Sequence, residues 1–159
     1  MDTSAILDFL YEVMYLLIVF GVFISLAVIK GKQSLINIIL GLYLALLLSI
    51  EFPFYDQLSG SSPQTISIVK ITIFTVFAIL SAWLFARLMP RNFDEKAFEG
   101  FGMKALFALG GTVLVMAFSY NVLPITEFIT PGSPIQALFA PESYFFWWLM
   151  LPLGFLFLL

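Results

Sequence analysis

Four ionisable residues stand where a membrane-spanning chain would find them costly: Asp8, Glu12, Glu51 and Lys70. Asp8 and Glu12 are four apart, a spacing that puts both side chains on one helix face, with Tyr11 and Tyr15 nearby. A carboxylate in hydrocarbon must pair with a cation or lose its charge, so the chemistry these residues could support is proton relay or cation binding. Lys70 is the only basic residue outside two short basic segments, which makes it the expected partner of one of the acids. The simpler alternative is that each of the four lies near a helix end, in the wet interface, where solvation removes most of the cost.

The elements that must carry these residues follow from composition. The 159 residues are 62% hydrophobic and 11% charged, with a mean hydropathy of +1.06. A soluble domain holds about a quarter charged residues, so this chain reads as an integral membrane protein. The expected fold class is all-α: a single polytopic membrane helix bundle, residues 1–159, with four transmembrane helices plus a C-terminal fifth or re-entrant apolar helix. The spans are expected at residues 9–29, 35–50, 66–89 and 105–123, followed by an apolar tail at 144–159. The first would reach roughly 30 Å, about the thickness of a hydrocarbon core. The tail is shorter, carries Pro152 and Gly154, and places Trp147 and Trp148 where an interface would suit them, so both a full crossing and a re-entrant helix remain open.

Charge sets an orientation. Lys30, Lys32, Arg87, Arg91, Lys96 and Lys104 fall on two segments separated by two spans, and only three of the ten acidic residues, Asp94, Glu95 and Glu99, share them. Cytoplasmic loops hold the excess of Lys and Arg, so the loops at 30–34 and 87–104 are expected inside and the amino terminus outside. Within the second loop, residues 92–104 read either as an amphipathic surface helix or as a linker that merely avoids water: Asn92 and Glu95 have the form of a capping box, and Phe93, Ala97, Phe98 and Phe101 would share a face. The amino end is acidic, whereas a secretory signal peptide begins with a basic region, so none is expected.

Small residues mark candidate packing faces. Ala78, Ala82 and Ala86 recur every four residues with Ser81 beside them, Gly110 and Gly111 form a second smooth patch, and Gly41 a third. Such residues let helix backbones approach closely in lipid. Asn37 and Asn121 are the polar amides in or near the spans, expected to bond across helices or to face the surface. Several chemistries are excluded. With no Cys and no His there is no disulfide, no thiolate nucleophile and no Ser-His-Asp set. Gly31-Lys32 is followed by Gln33 rather than Ser or Thr, so there is no phosphate loop. No cofactor, metal or nucleic acid is expected; the expected partners are membrane lipids and other membrane proteins, in a homo- or hetero-oligomer.

The order of parts, with a Lys30-Gly31-Lys32 turn, an internal Gly41 in the second span, a third span closed by Arg, an amphipathic connection and Gly110-Gly111 in the fourth, resembles the colicin V production protein (CvpA) family. That resemblance covers most of residues 1–141. It implies a small bacterial inner-membrane protein tied to bacteriocin secretion or envelope homeostasis, and it carries over no catalytic residue. The leading expectation is a non-enzymatic accessory or assembly component acting through helix–helix contacts. The alternative is a small channel or transporter subunit with an acidic outer vestibule built from Asp8, Glu12, Glu51, Asp56 and Lys70.

Overall fold

The structure is a computed structural model that describes residues 3–55, 62–89, 100–123 and 134–157. Among these, helix is the only regular structure. In order along the chain they are α1 (Thr3–Lys30), α2 (Lys32–Ile50), α3 (Pro63–Leu88), α4 (Phe101–Asn121), α5 (Pro134–Phe139) and α6 (Glu142–Phe157). The first four are long and apolar enough to cross a membrane. The chain is thus a helical membrane bundle. Asp56, Glu127, Pro124, Pro131 and the capping-box segment from Asn92 to Glu99 lie outside the described residues.

Solvent explains why these segments are helical where propensity would argue otherwise. From Ile66 to Phe77 α3 is mostly β-branched, a composition that favours strands in water. Inside a bilayer each backbone N–H and C=O must be satisfied within its own segment, which only a helix achieves for a lone span. The hydroxyls conform as well: Thr72 donates to the Ile68 carbonyl at 2.8 Å and Thr75 to that of Ile71 at 2.7 Å. These bonds to the preceding turn leave no hydroxyl proton exposed to lipid.

Local chemistry decides the helix boundaries. α3 starts at Pro63, not near Ile66, because Ser62 Oγ accepts from the Thr65 N–H at 3.3 Å and Pro63 occupies the first turn, where its missing N–H is harmless. Between α1 and α2 the chain reverses over a single residue. Gly31 holds φ at 80°, left-handed backbone that a side chain resists, and its N–H still reaches the Ala27 carbonyl at 3.1 Å.

α4 is the centre of the bundle and packs on α1, α2, α5 and α6, whereas α3 packs chiefly on α2. Half of α4's apolar stretch is buried inside the protein, against 11% of α3's. The main core runs through all four long helices and includes Phe23, Leu35, Ile39, Phe107 and Phe118. Phe74 of α3 meets Phe118 edge to face at 5.6 Å.

Close approach depends on glycine at three points. A Cβ on Gly41 would lie 2.7 Å from the backbone nitrogen of Ala82, so α2 and α3 touch backbone to backbone there. Gly110 and Gly111, though adjacent, serve different neighbours. Gly111 receives the Phe23 ring of α1, 2.6 Å from where a Cβ would sit, and Gly110 receives Phe155 and Pro152 of α6 at 3.0 and 3.6 Å. Of the alanine repeat, Ala82 makes the Gly41 contact, Ala78 lines the main core, and Ala86 is exposed.

Within the described residues the apolar tail is one continuous helix, α6. Pro152 lies inside α6, is fully buried and does not end it. Proline withholds one N–H and pushes on the preceding turn, so nearby carbonyls need other donors. The Tyr43 hydroxyl of α2 donates to the Leu149 carbonyl at this turn.

Candidate functional site

Glu12 is 1% exposed, among the most thoroughly buried side chains in the chain. Burial results from its position on α1, where Glu12, Tyr15 and Leu16 fall three and four apart and so share the face turned to α4. The opposing residues of α4, Met116, Ser119 and Tyr120, repeat the same spacing. Met116, Tyr120 and Phe139 of α5 form a second, smaller core, against which Tyr15, Leu16 and Trp148 pack.

The polar atoms of this second core are oriented by a short chain of bonds. Ser119 Oγ donates its proton to the Val115 carbonyl at 2.8 Å, so in its 2.9 Å contact with Tyr15 it must accept, and the Tyr15 hydroxyl donates. The Glu12 carboxyl lies near the Tyr120 hydroxyl, which makes no hydrogen bond among the described residues. Phe139 stacks on Tyr120 at 6.4 Å between ring centres and meets Trp148 at 4.8 Å, which closes the cluster under α5 and the start of α6.

α5 is only 6 residues long, and other elements hold it in place. Asn121 donates to the Phe139 carbonyl at 2.7 Å and to the Ala117 carbonyl at 3.0 Å, and Trp148 Nε1 donates to the Leu138 carbonyl at 3.1 Å. These side chains cap the last carbonyls of α5, which have no partner within the helix itself. Asn121 therefore bonds across elements. Asn37, which is buried, accepts from Gln33 on its own helix at 3.3 Å.

The four ionisable residues suggested by the sequence do not share one environment. Glu12 is enclosed between α1, α4 and α5, so the wet-interface reading fails for it. Lys70 is placed instead over the Tyr55 ring, 5.5 Å from its centre, where Tyr55 also contacts Ser49 Oγ at 3.0 Å. The expected Lys70–carboxylate pair is therefore replaced, among the described residues, by a cation–π contact. Glu51 is exposed. Asp8 lies one turn before Glu12 on α1, and its side chain is outside the described residues.

Ser119 and Tyr120 had no place in the sequence reading. Their signal was a polar run, Ser119-Tyr120-Asn121, closing an apolar helix. Nothing in one sequence links that run to Glu12, more than a hundred positions earlier. No group of three or more acidic, His or Cys residues that could hold a metal ion occurs among the described residues. Compared with models of known families, with curated proteins and with solved structures, the chain matches none.

Proposed function

We propose that this membrane protein is a non-enzymatic accessory or assembly component that works through helix–helix contacts, in a role similar to that of the colicin V production protein family. The observation that carries the reading is the position of α3, held at the periphery chiefly by α2, with only 11% of its apolar stretch buried by the chain itself. Its outward face presents Val76, Ile79, Leu80 and Trp83 over about two turns. The polar groups in the spans, by contrast, are for the most part bonded within the chain: hydroxyls bond to the preceding turn, Tyr43 to α6, and Asn121 to α5. A chain that keeps its polar atoms to itself and offers an apolar helix side suits an assembly subunit better than an aqueous path.

In this reading the protein lies in a bacterial inner membrane with the Gly31 turn and the α3–α4 connection in the cytoplasm. The channel alternative needs acidic residues converging on one mouth, and the burial of Glu12, while Glu51 is exposed, weighs against it. Native mass spectrometry after mild extraction, with cross-linking, tests the proposal. The expected result is a complex with a different protein in fixed ratio, which Ile79→Trp together with Trp83→Ala disrupts. Recovery as a closed homo-oligomer would favour the channel, and a cross-linked population that is wholly monomeric would refute both.

A further inference from the structure

Three lysines close the main core at one end of the bundle. Lys30 follows Phe23 and Ala27 at spacings of seven and three, Lys32 precedes Leu35, Ile36 and Ile39, and Lys104 precedes Phe107, Ala108 and Gly111. At these spacings each lysine shares a helix face with residues buried in the bundle. The register of α1 and α4 brings two of them level. Tyr15 meets Ser119, and eight residues further along α1 Phe23 seats at Gly111, eight residues back on α4; a further seven puts Lys30 opposite Lys104. Lys32 is separated from Lys30 by Gly31 alone, and α2 packs on both α1 and α4.

The charge of this end is positive. Among the described residues, the carboxylates of Glu12, Glu51 and Glu142 belong to the opposite half of the bundle. Glu12 lies roughly 27 Å from Lys30 along α1 at 1.5 Å per residue. Glu51 follows the far end of α2, and Glu142 opens α6, on the side of Phe139 and Tyr120. By sequence, residues 87–104 together with Lys30 and Lys32 hold six basic residues against Asp94, Glu95 and Glu99, so a positive excess of three remains however these groups pair. Neither α2 nor α4 has an acid in its first turn. A lysine there opposes the helix dipole, so helix stability does not account for Lys32 and Lys104.

We propose that Lys30, Lys32 and Lys104 form a binding site for the phosphate headgroup of an anionic phospholipid at the junction of α1, α2 and α4. Like charges gathered at the end of a core repel, and a phosphate placed among them turns that repulsion into attraction. Lys32 and Lys104 are half-buried, as suits lysines whose stems cover apolar surface while their ammoniums reach the headgroups. A lipid fits better than a soluble anion because the site lies at the end of membrane-crossing helices. Ile29 and Phe101, 78% and 70% exposed, flank the lysines with apolar surface for acyl chains. Basic pockets between transmembrane helices take such headgroups. The positive-inside tendency accounts for lysines in a loop, but it does not align three of them with the inward faces of three helices. α3 contributes nothing to the site, which therefore stands apart from the partner face proposed for that helix.

Native mass spectrometry of the delipidated full-length protein in detergent, titrated with dioleoyl phosphatidylglycerol, dioleoyl phosphatidylcholine or inorganic phosphate, tests the site. The expected result is one phosphatidylglycerol held about tenfold more tightly than phosphatidylcholine. That preference should be lost in Lys30→Gln combined with Lys104→Gln and kept in Lys70→Gln, whose charge lies towards the other end of α3. Equal affinity for the two lipids, an unchanged preference in the double variant, or an equal loss in Lys70→Gln would overturn the proposal. Displacement of the bound lipid by inorganic phosphate would overturn it too, by making the site one for a soluble anion. The unaltered protein supplies a second readout that holds even if the variants do not fold. In nanodiscs, phosphatidylglycerol with a diazirine in its headgroup should cross-link within residues 29–33 and 101–105, located by peptide mass spectrometry. Cross-links spread evenly over both ends of the bundle would refute a defined site.

Discussion

A single atom decides how near α2 and α3 can come. The place of a Cβ at Gly41 lies 2.7 Å from the Ala82 nitrogen and 2.8 Å from its Cα, and backbone atoms cannot swing aside as a side-chain tip can. Gly41→Ala is therefore expected to destabilise the bundle by about 1–3 kcal/mol, the usual range for overpacking. Gly21, on α1, is the control. Nothing lies within 4 Å of its Cβ position, so Gly21→Ala should stabilise by about 0.5–1 kcal/mol through helix propensity alone. Thermal unfolding of both variants in the same detergent separates the two signs. The sequence marked Gly41, Ala82, Gly110 and Gly111 as small, but not which of them meets which. Adjacent glycines that point to α1 and to α6 look alike in one dimension.

At the scale of elements, α6 is the informative case. A helix with an internal proline has a weak signature, and its length alone left open how it would sit. Its place is set by contacts from other helices: Pro152 and Phe155 seat at Gly110, and the Tyr43 hydroxyl supplies the Leu149 carbonyl. Removing that donor with Tyr43→Phe should cost about 1 kcal/mol, in line with interhelical hydrogen bonds in membranes. The loss should be local. Amide exchange is expected to rise through residues 142–157 and to stay unchanged in α2 itself. Equal exchange in α6 of the two proteins would show that the glycine seat alone holds the helix. α5 makes the same point from the other side, since a six-residue helix has no stability of its own and exists where Asn121 and Trp148 cap it.

For the whole molecule, two quantities that composition does not separate become distinct: apolar and buried. α3 is as apolar as its neighbours, yet it is the least buried of the long helices, while α4, with lower mean hydropathy, is the core. Orientation is a property of the whole chain too. In the orientation we propose from the positive-inside rule, the Gly31 turn lies in the cytoplasm and the Ser62 end of α3 outside. Because the chain has no native cysteine, Gln33→Cys and Gln64→Cys can be made singly without background. In intact cells an impermeant maleimide should label only the Gln64→Cys protein, and Gln33→Cys only after permeabilisation. The reverse pattern would invert the topology.

Hydropathy read along the chain was enough to determine that this is a helical membrane bundle, where its long helices lie and where its charges concentrate, because the bilayer acts on each segment separately and admits few backbone solutions. The segregation of Lys and Arg onto two segments was legible for the same reason. Helix pairing was not. Lipid tails are as apolar as leucine, so a side chain facing lipid and one facing another helix carry the same hydropathic signal. Only the tertiary structure could place α4 at the centre, set Lys70 on an aromatic ring in place of a carboxylate, and enclose Glu12 with Tyr120. Each of those outcomes depends on faces brought together from distant parts of the chain, and packing geometry, unlike hydropathy, is not a sum over residues.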